Sequence, residues 1–167
     1  LSIGLLTSKI NLEGPIVKGK TSFNISARRS YADLIAKPFM PDGEEYGYYF
    51  YDINAKINHK FSDRSRIYLS VYNGKDHFSA NYDGDTDSKD GSTMNWGNTI
   101  VSARWNYIFN NRLFSNTTIS YNNYLFDVNS YNNNKYANSM GASIINRYSA
   151  DYRSGINDWS YQIDFDY

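Results

Sequence analysis

Cysteine is absent from the 167 residues, which excludes a disulfide scaffold, a thiol nucleophile and thiolate metal ligands together. Histidine is scarce: only His59 and His77 occur, and they lack the i, i+4 spacing of a zinc pair, which argues against a transition-metal site within the chain. Net charge is absent too. Seventeen Lys and Arg balance 17 Asp and Glu, so there is no basic surplus to hold nucleic acid and no acidic tail. No stretch approaches the ~20 apolar residues of a transmembrane helix. Neither a G-x-S-x-G elbow nor a P-loop is present, and no nucleophile–base arrangement points to an enzyme. The opening residues, LSIGLLTSKINLEG, have no basic n-region and no small-residue cleavage site. They read as a strand already under way, so the expectation is an internal piece of an exported protein.

Aromatic residues, by contrast, make up 17% of the chain, with 17 tyrosines, while mean hydropathy is only −0.64. A soluble core draws more on Leu, Ile and Val, and a disordered chain carries few aromatics. A transmembrane barrel accounts for both numbers, because alternate strand residues face a wet lumen and long loops face water.

The dominant signal is period-two alternation, which places successive side chains on opposite faces of a sheet. Phe23, Ile25 and Ala27 alternate with Ser22, Asn24 and Ser26. Tyr49, Tyr51, Ile53, Ala55, Ile57, His59 and Phe61 alternate with Asp52, Asn54, Lys56, Asn58 and Lys60. The pattern continues through Ile67, Leu69 and Val71, then Val101, Ala103, Trp105, Tyr107 and Phe109, then Leu113 to Leu125. It closes with Trp159, Tyr161, Ile163, Phe165 and Tyr167. With a weaker strand over 2–13 and another near 139–152, about eight antiparallel strands are expected. Runs such as Thr21–Tyr31 and Tyr49–Phe61 match the ~9–11 residues that cross a bilayer at a tilt better than the ~5–6 of soluble strands.

Connections are expected to alternate between short and long. Gly14–Lys20, Ser62–Arg66, Asn110–Arg112 and Ser154–Asp158 have the composition of tight turns. Segments 32–47, 73–95 and 127–138, rich in Asp, Asn, Gly and Tyr, read as long loops. In the first of these, ADLIAKPF has room for one helical turn before Pro38 stops it. Aromatics gather toward the two ends: Tyr31, Tyr46, Tyr48, Tyr49, Tyr51 and Trp96 at the long-loop end, and Phe61, Trp105, Tyr107, Phe109 and Trp159 toward the short turns. Two interfacial girdles are thereby expected, with the opposite face polar along its whole length.

With the strands in place, four phrases stand out: Leu12–Phe39, Tyr51–Asp76, Trp96–Tyr124 and Tyr152–Tyr167. Together they resemble the barrel of TonB-dependent outer-membrane receptors, in the branch with a carboxypeptidase-regulatory-like N-terminal domain. The resemblance implies an all-β, antiparallel transmembrane barrel of about 22 strands filled by a plug. It also implies nutrient import across the bacterial outer membrane, capture by outer loops, and drive from the TonB system through regions outside this chain. The partners implied are the rest of the barrel, the plug, membrane lipid and lipopolysaccharide, and the presence of a surface lipoprotein stays open. Residues 1–167 would then be one portion of a barrel domain, without plug. The alternative is a complete eight-stranded barrel with a structural, anchoring or adhesive role, for which the terminal Ile163, Phe165 and Tyr167 resemble an assembly signature.

Candidate sites are few. Tyr46, Tyr82, Tyr131 and Tyr136, with Tyr124, offer rings and hydroxyls to a substrate, although the same composition suits any loop at a membrane surface. Asp83, Asp85, Asp87 and Asp90 are spaced as in oxygen-rich calcium loops, within residues 83–91. The twelfth position falls on Met94 rather than a bidentate Glu, so an acidic, solvated loop is the plainer reading. Asp164 and Asp166 form a carboxylate pair but share the polar face with Lys56 and Arg104, as lumen charges would. Arg29 is the one charge among outward positions, close enough to a strand end to snorkel as an interfacial anchor or to meet a lipopolysaccharide phosphate.

Overall fold

The computed structural model describes residues 2–84, 88–137 and 143–167. The chain forms a single antiparallel sheet of eight strands in sequence order. These are β1 (Ser2–Ile3), β2 (Thr7–Val17), β3 (Thr21–Ser30), β4 (Glu44–Ser62), β5 (Ser65–Asp83), β6 (Lys89–Asn110), β7 (Leu113–Ala137) and β8 (Ser143–Asp166). Each strand pairs with its chain neighbour. Among the described residues, β8 pairs only with β7, and no ladder joins it to β1, so the sheet is open. Among the described residues no helix is long and apolar enough to cross a membrane.

The expected count of eight holds, but the partition differs. The first expected strand divides at Gly4 into β1 and β2. The two expected at the end are one continuous β8, and Ser154–Asp158 is not a turn. Gly155 sits there because a Cβ would lie 2.9 Å from Leu125 Cδ2 and 3.1 Å from the Tyr124 carbonyl oxygen. Asn157 accepts hydrogen bonds from Tyr121 Oη (3.0 Å) and Asn123 Nδ2 (2.5 Å) across the ladder. Turn-like composition here serves close strand packing.

Two of the three long loops are likewise strand. Residues 73–83 continue β5, residues 89–95 open β6, and 127–137 complete β7. The third holds the expected helical turn: α1 (Ala32–Ala36) runs into a 3-10 turn at Lys37–Phe39 that takes in Pro38. Gly43, at φ +80°, then reverses the chain into β4, where its carbonyl accepts from Asp83 N at 2.7 Å. The short turns that remain, at 18–20, 63–64 and 111–112, lie at one end of the sheet. Gly19, at φ +71°, supplies the left-handed residue in the first.

No apolar side chain is buried among the described residues. The sheet is a single layer, and its hydrophobic residues lie on a surface rather than between two layers.

Candidate functional site

The ladder register fixes which side chains share a face. One face carries an apolar band. Its middle row reads Leu12, Ile25, Ala55, Val71, Val101, Tyr121 and Trp159 from β2 to β8. Rows above and below add Ile10, Ile53, Ile57, Leu69, Ala103, Ile119 and Tyr161. Toward the short turns the band ends in rings: Tyr107 meets Phe109 edge-on at 4.9 Å, and Phe109 stacks near Phe165 at 6.5 Å. His59 lies here too, bonded to Thr21 Oγ1 through Nδ1 (2.7 Å) and edge-on to Phe61. From Tyr51 to Phe61 is ten steps of ~3.4 Å, about 25 Å of height at a ~40° tilt. Trp159 stands in the middle row, not in the short-turn girdle where composition placed it, because β8 has no turn before it.

The other face, opposite the band, is polar. Asn24 donates to Glu13 (2.8 Å), Ser70 and Ser102 share a hydrogen bond (2.8 Å), and Arg104 reaches Thr118 (3.3 Å). Here the sheet curves around a groove of about 890 Å³ lined by Glu13, Asn24, Lys56, Ser70, Arg104 and Asn116, among others. Asp164 and Asp166 share this grooved face by register, and Gln162 donates to Asp164 at 3.0 Å.

Above Ile53 the polarity of the two faces exchanges. On the banded side the Ile53 row itself already carries Asn73 bonded to Thr99 (2.8 Å), and two rows higher His77 bonds Asn95 (2.7 Å), which donates to Asp127 (2.8 Å). His77, expected in a loop, is thus a strand residue stacked on Tyr49 at 4.9 Å. On the grooved side the same heights carry Phe50, Trp96 and Phe126 in one row and Tyr48, Phe78, Met94, Val128 and Tyr152 in the next. Tyr48 stacks with Trp96 (6.3 Å) and donates from its hydroxyl to Asp76 (2.6 Å). Phe126 and Tyr152 meet at 6.1 Å. Arg28 lies 4.9 Å over the Phe50 ring and pairs with Asp52 at 2.6 Å. Asn98 and Asn122, close below, have buried Oδ1 atoms with no hydrogen-bond partner among the described residues.

This aromatic wall corrects the expectation of a grooved face polar throughout. It also splits the expected long-loop girdle: Tyr49 and Tyr51 lie on the banded face, whereas Tyr46, Tyr48 and Trp96 lie on the other. The signal was present in the sequence. Even positions become aromatic at 46, 48 and 50, at 78 and 82, and at 124 and 126, while on β5 odd positions turn polar at Asn73, Lys75, His77, Ser79 and Asn81.

The four tyrosines singled out from composition do not form one site. Tyr46 and Tyr136 are on the grooved face, and the Tyr136 hydroxyl accepts from Asn146 at 3.1 Å. Tyr82 and Tyr131 point to opposite faces but both line a cleft of about 490 Å³ at the hairpin tips, with Lys37, Glu45 and Lys89. In that cleft Lys37 bonds Glu45 at 2.8 Å, and this carboxylate pushes the ammonium above its ordinary range.

Of the calcium candidates, Asp85 and Asp87 lie outside the described residues. Asp83 bonds Lys89 at 2.9 Å and Asp90 accepts from Asn132 at 2.6 Å, and the register turns these two carboxylates to opposite faces. Among the described residues no group of three His, Cys, Asp or Glu is placed to hold a metal. An acidic solvated tip predicts that millimolar calcium leaves proteolysis between residues 83 and 91 unchanged; protection by calcium would restore the metal reading. No family model matches the chain, and comparison with curated proteins finds no match.

Proposed function

We propose that these strands are part of the wall of a TonB-dependent receptor in the bacterial outer membrane, importing a nutrient and performing no catalysis. The observation that carries this reading is the apolar band on a sheet without a core. About a dozen large apolar side chains there are more than a third exposed. Each forfeits ~1 kcal/mol of burial in water, ~10 kcal/mol in sum, as much as the whole stability of a typical domain. Hydrocarbon removes that cost. The band's height matches the ~25 Å expected of lipid-facing barrels, and polar residues lie behind it as in a wet lumen.

The open edges support a larger barrel over the eight-stranded alternative. A β8 edge of 24 residues has no counterpart in a two-residue β1, and hydrocarbon does not tolerate unpaired backbone groups. In this reading the rest of the barrel supplies the missing neighbours, and the plug occupies the grooved side. The aromatic wall stands above the membrane on that same side, where incoming substrate is first met. TonB acts through regions outside this chain, and a surface lipoprotein would seat over the hairpin tips.

No cysteine within these 167 residues competes with an introduced one. Single cysteines at Val71 and Ser79, probed in intact cells with a membrane-impermeant maleimide, should divide by position. Ser79→Cys, whose partner Gly47 lies above the band, is expected to label from outside, and Val71→Cys to be protected. A nitroxide at Val71 should collide with oxygen dissolved in lipid, and one at Ser70 should not. Equal labelling at Val71 and Ser79, or equal collision rates at Val71 and Ser70, would remove the membrane from the account.

A further inference from the structure

We infer that Arg29 and Lys75, flanking Tyr51 on the banded face, form a docking site for the phosphomonoester headgroup of an outer-leaflet lipid; this rests on the membrane reading above. In the ladder Arg29 pairs with Tyr51 and Tyr51 with Lys75. The three therefore stand in one row, with the two cationic residues separated by two interstrand spacings, about 10 Å between Cα atoms. The row below on these strands is Ala27, Ile53 and Asn73, so the cations sit where the apolar band gives way to polar side chains. Charged headgroups lie at that height.

The contrast between adjacent arginines carries the inference. Arg28 faces the groove and is neutralised by Asp52 at 2.6 Å. Arg29 faces outward and is exposed, its guanidinium held 5.2 Å over the Tyr49 ring, and no carboxylate pairs with it among the described residues. Lys75 is exposed, and among the described residues no carboxylate pairs with it. Higher on this face, Glu45 is engaged by Lys37 and Asp127 by Asn95, both at 2.8 Å. A guanidinium presents parallel N–H donors that match phosphate oxygens and an ammonium adds a point charge, so an anion held by both would lie between them at the height of Tyr51. Acyl chains continuing downward meet Ile53 and Ala27, so one ligand satisfies charge above and hydrocarbon below.

The test uses the intact protein in neutral detergent, titrated with dioleoylphosphatidic acid while the midpoint of thermal unfolding is followed. The wild type should be stabilised. The double variant Arg29→Gln/Lys75→Gln should need roughly tenfold more lipid for half the effect, as two cations at an anionic surface imply. Arg29→Lys/Lys75→Arg keeps both charges and should stay within about threefold of wild type. Lys135→Gln/Arg147→Gln removes the same charge near the hairpin tips and should leave the titration unmoved. Dioleoylphosphatidylcholine tests for acyl chains alone and inorganic phosphate for the anion alone; neither should reproduce the stabilisation. Identical titrations for wild type and Arg29→Gln/Lys75→Gln would overturn the site while leaving the barrel reading intact. If the glutamine pair fails to fold, unequal responses of Arg29→Gln and Lys135→Gln singly still decide the matter. A chain folded and monomeric in plain buffer would overturn both readings together.

Discussion

Val101→Arg is expected to abolish assembly or to cost ~2–4 kcal/mol, whereas Ser102→Arg, one residue away, should cost less than about 1 kcal/mol. The two positions are comparable in everything except face. Val101 lies between Val71 and Tyr121 in the middle row of the band and is 44% exposed. Ser102 lies between Ser70 and Ser120 above the groove. In water, an exposed valine accepts arginine readily. In hydrocarbon, a cation at mid-depth has no short route to an interface, and the penalty amounts to a ~30- to 1,000-fold loss in the folded fraction. Ser102→Arg forfeits the hydrogen bond to Ser70 but extends into a polar groove. Ile25→Arg against Asn24→Arg repeats the comparison on β3, where Glu13, the present partner of Asn24, would attract the new cation. Heat-modifiability on gels and urea unfolding in lipid bilayers both report the difference. If Val101→Arg and Ser102→Arg are tolerated alike, the solvent of the band is water and the importer reading falls with it.

Gly97→Val should destabilise the sheet by ~1–3 kcal/mol, although strand propensity alone predicts a gain. A Cβ at Gly97 would lie 2.7 Å from the carbonyl oxygen of Gly74 and 3.4 Å from Lys75 Cα. The obstructing atoms are backbone on β5, so no rotamer change relieves them, and β5 and β6 must separate locally. Gly97→Ala introduces the same first carbon and should shift stability the same way by less. Urea unfolding in bilayers reads the effect. A Val variant within ~0.5 kcal/mol of wild type would mean that the two strands do not approach as closely as described.

Antiparallel order and the apolar face were legible in the sequence because each rests on local alternation, whereas the strand count agreed only because one expected strand divides and two merge. Ile53, Ala55 and Ile57 can share a face only in extended chain. Strand extent was not legible. In 73–83 the alternation persists with its polarity reversed, in 127–137 it lapses after Val128 into Asn and Ser, and a stretch holding Asn73, Lys75, His77 and Asn81 has the composition of a loop. What keeps it extended is cross-strand: His77 to Asn95 to Asp127 is a polar ladder whose members lie far apart in the chain. Ser154–Asp158 misled for a related reason. Its glycine and asparagine answer to Leu125 and Asn123 on the neighbouring strand, information that no window on β8 contains. Among the candidate residues, Arg29 was placed correctly near a strand end, but Lys75 was hidden in an assumed loop. The four tyrosines were chosen by composition, and composition does not assign a face. Aromatic even positions hinted at the wall, but only pairing puts Tyr48, Trp96, Phe126 and Tyr152 side by side.

The exchange of polarity between the halves of the sheet also bears on how faithfully the chain assembles. A hairpin displaced by one residue would turn greasy side chains toward water at both heights at once. Displacement by two restores every orientation and is the error a uniform alternating sheet corrects least well. Here it is penalised as well, because the changeover at Asn73, Thr99, Asn123 and Asn157 would then be out of step with neighbouring hairpins, drawing amides into the band or lifting isoleucine above it. The boundary acts as a vernier mark, and four strands must agree on it.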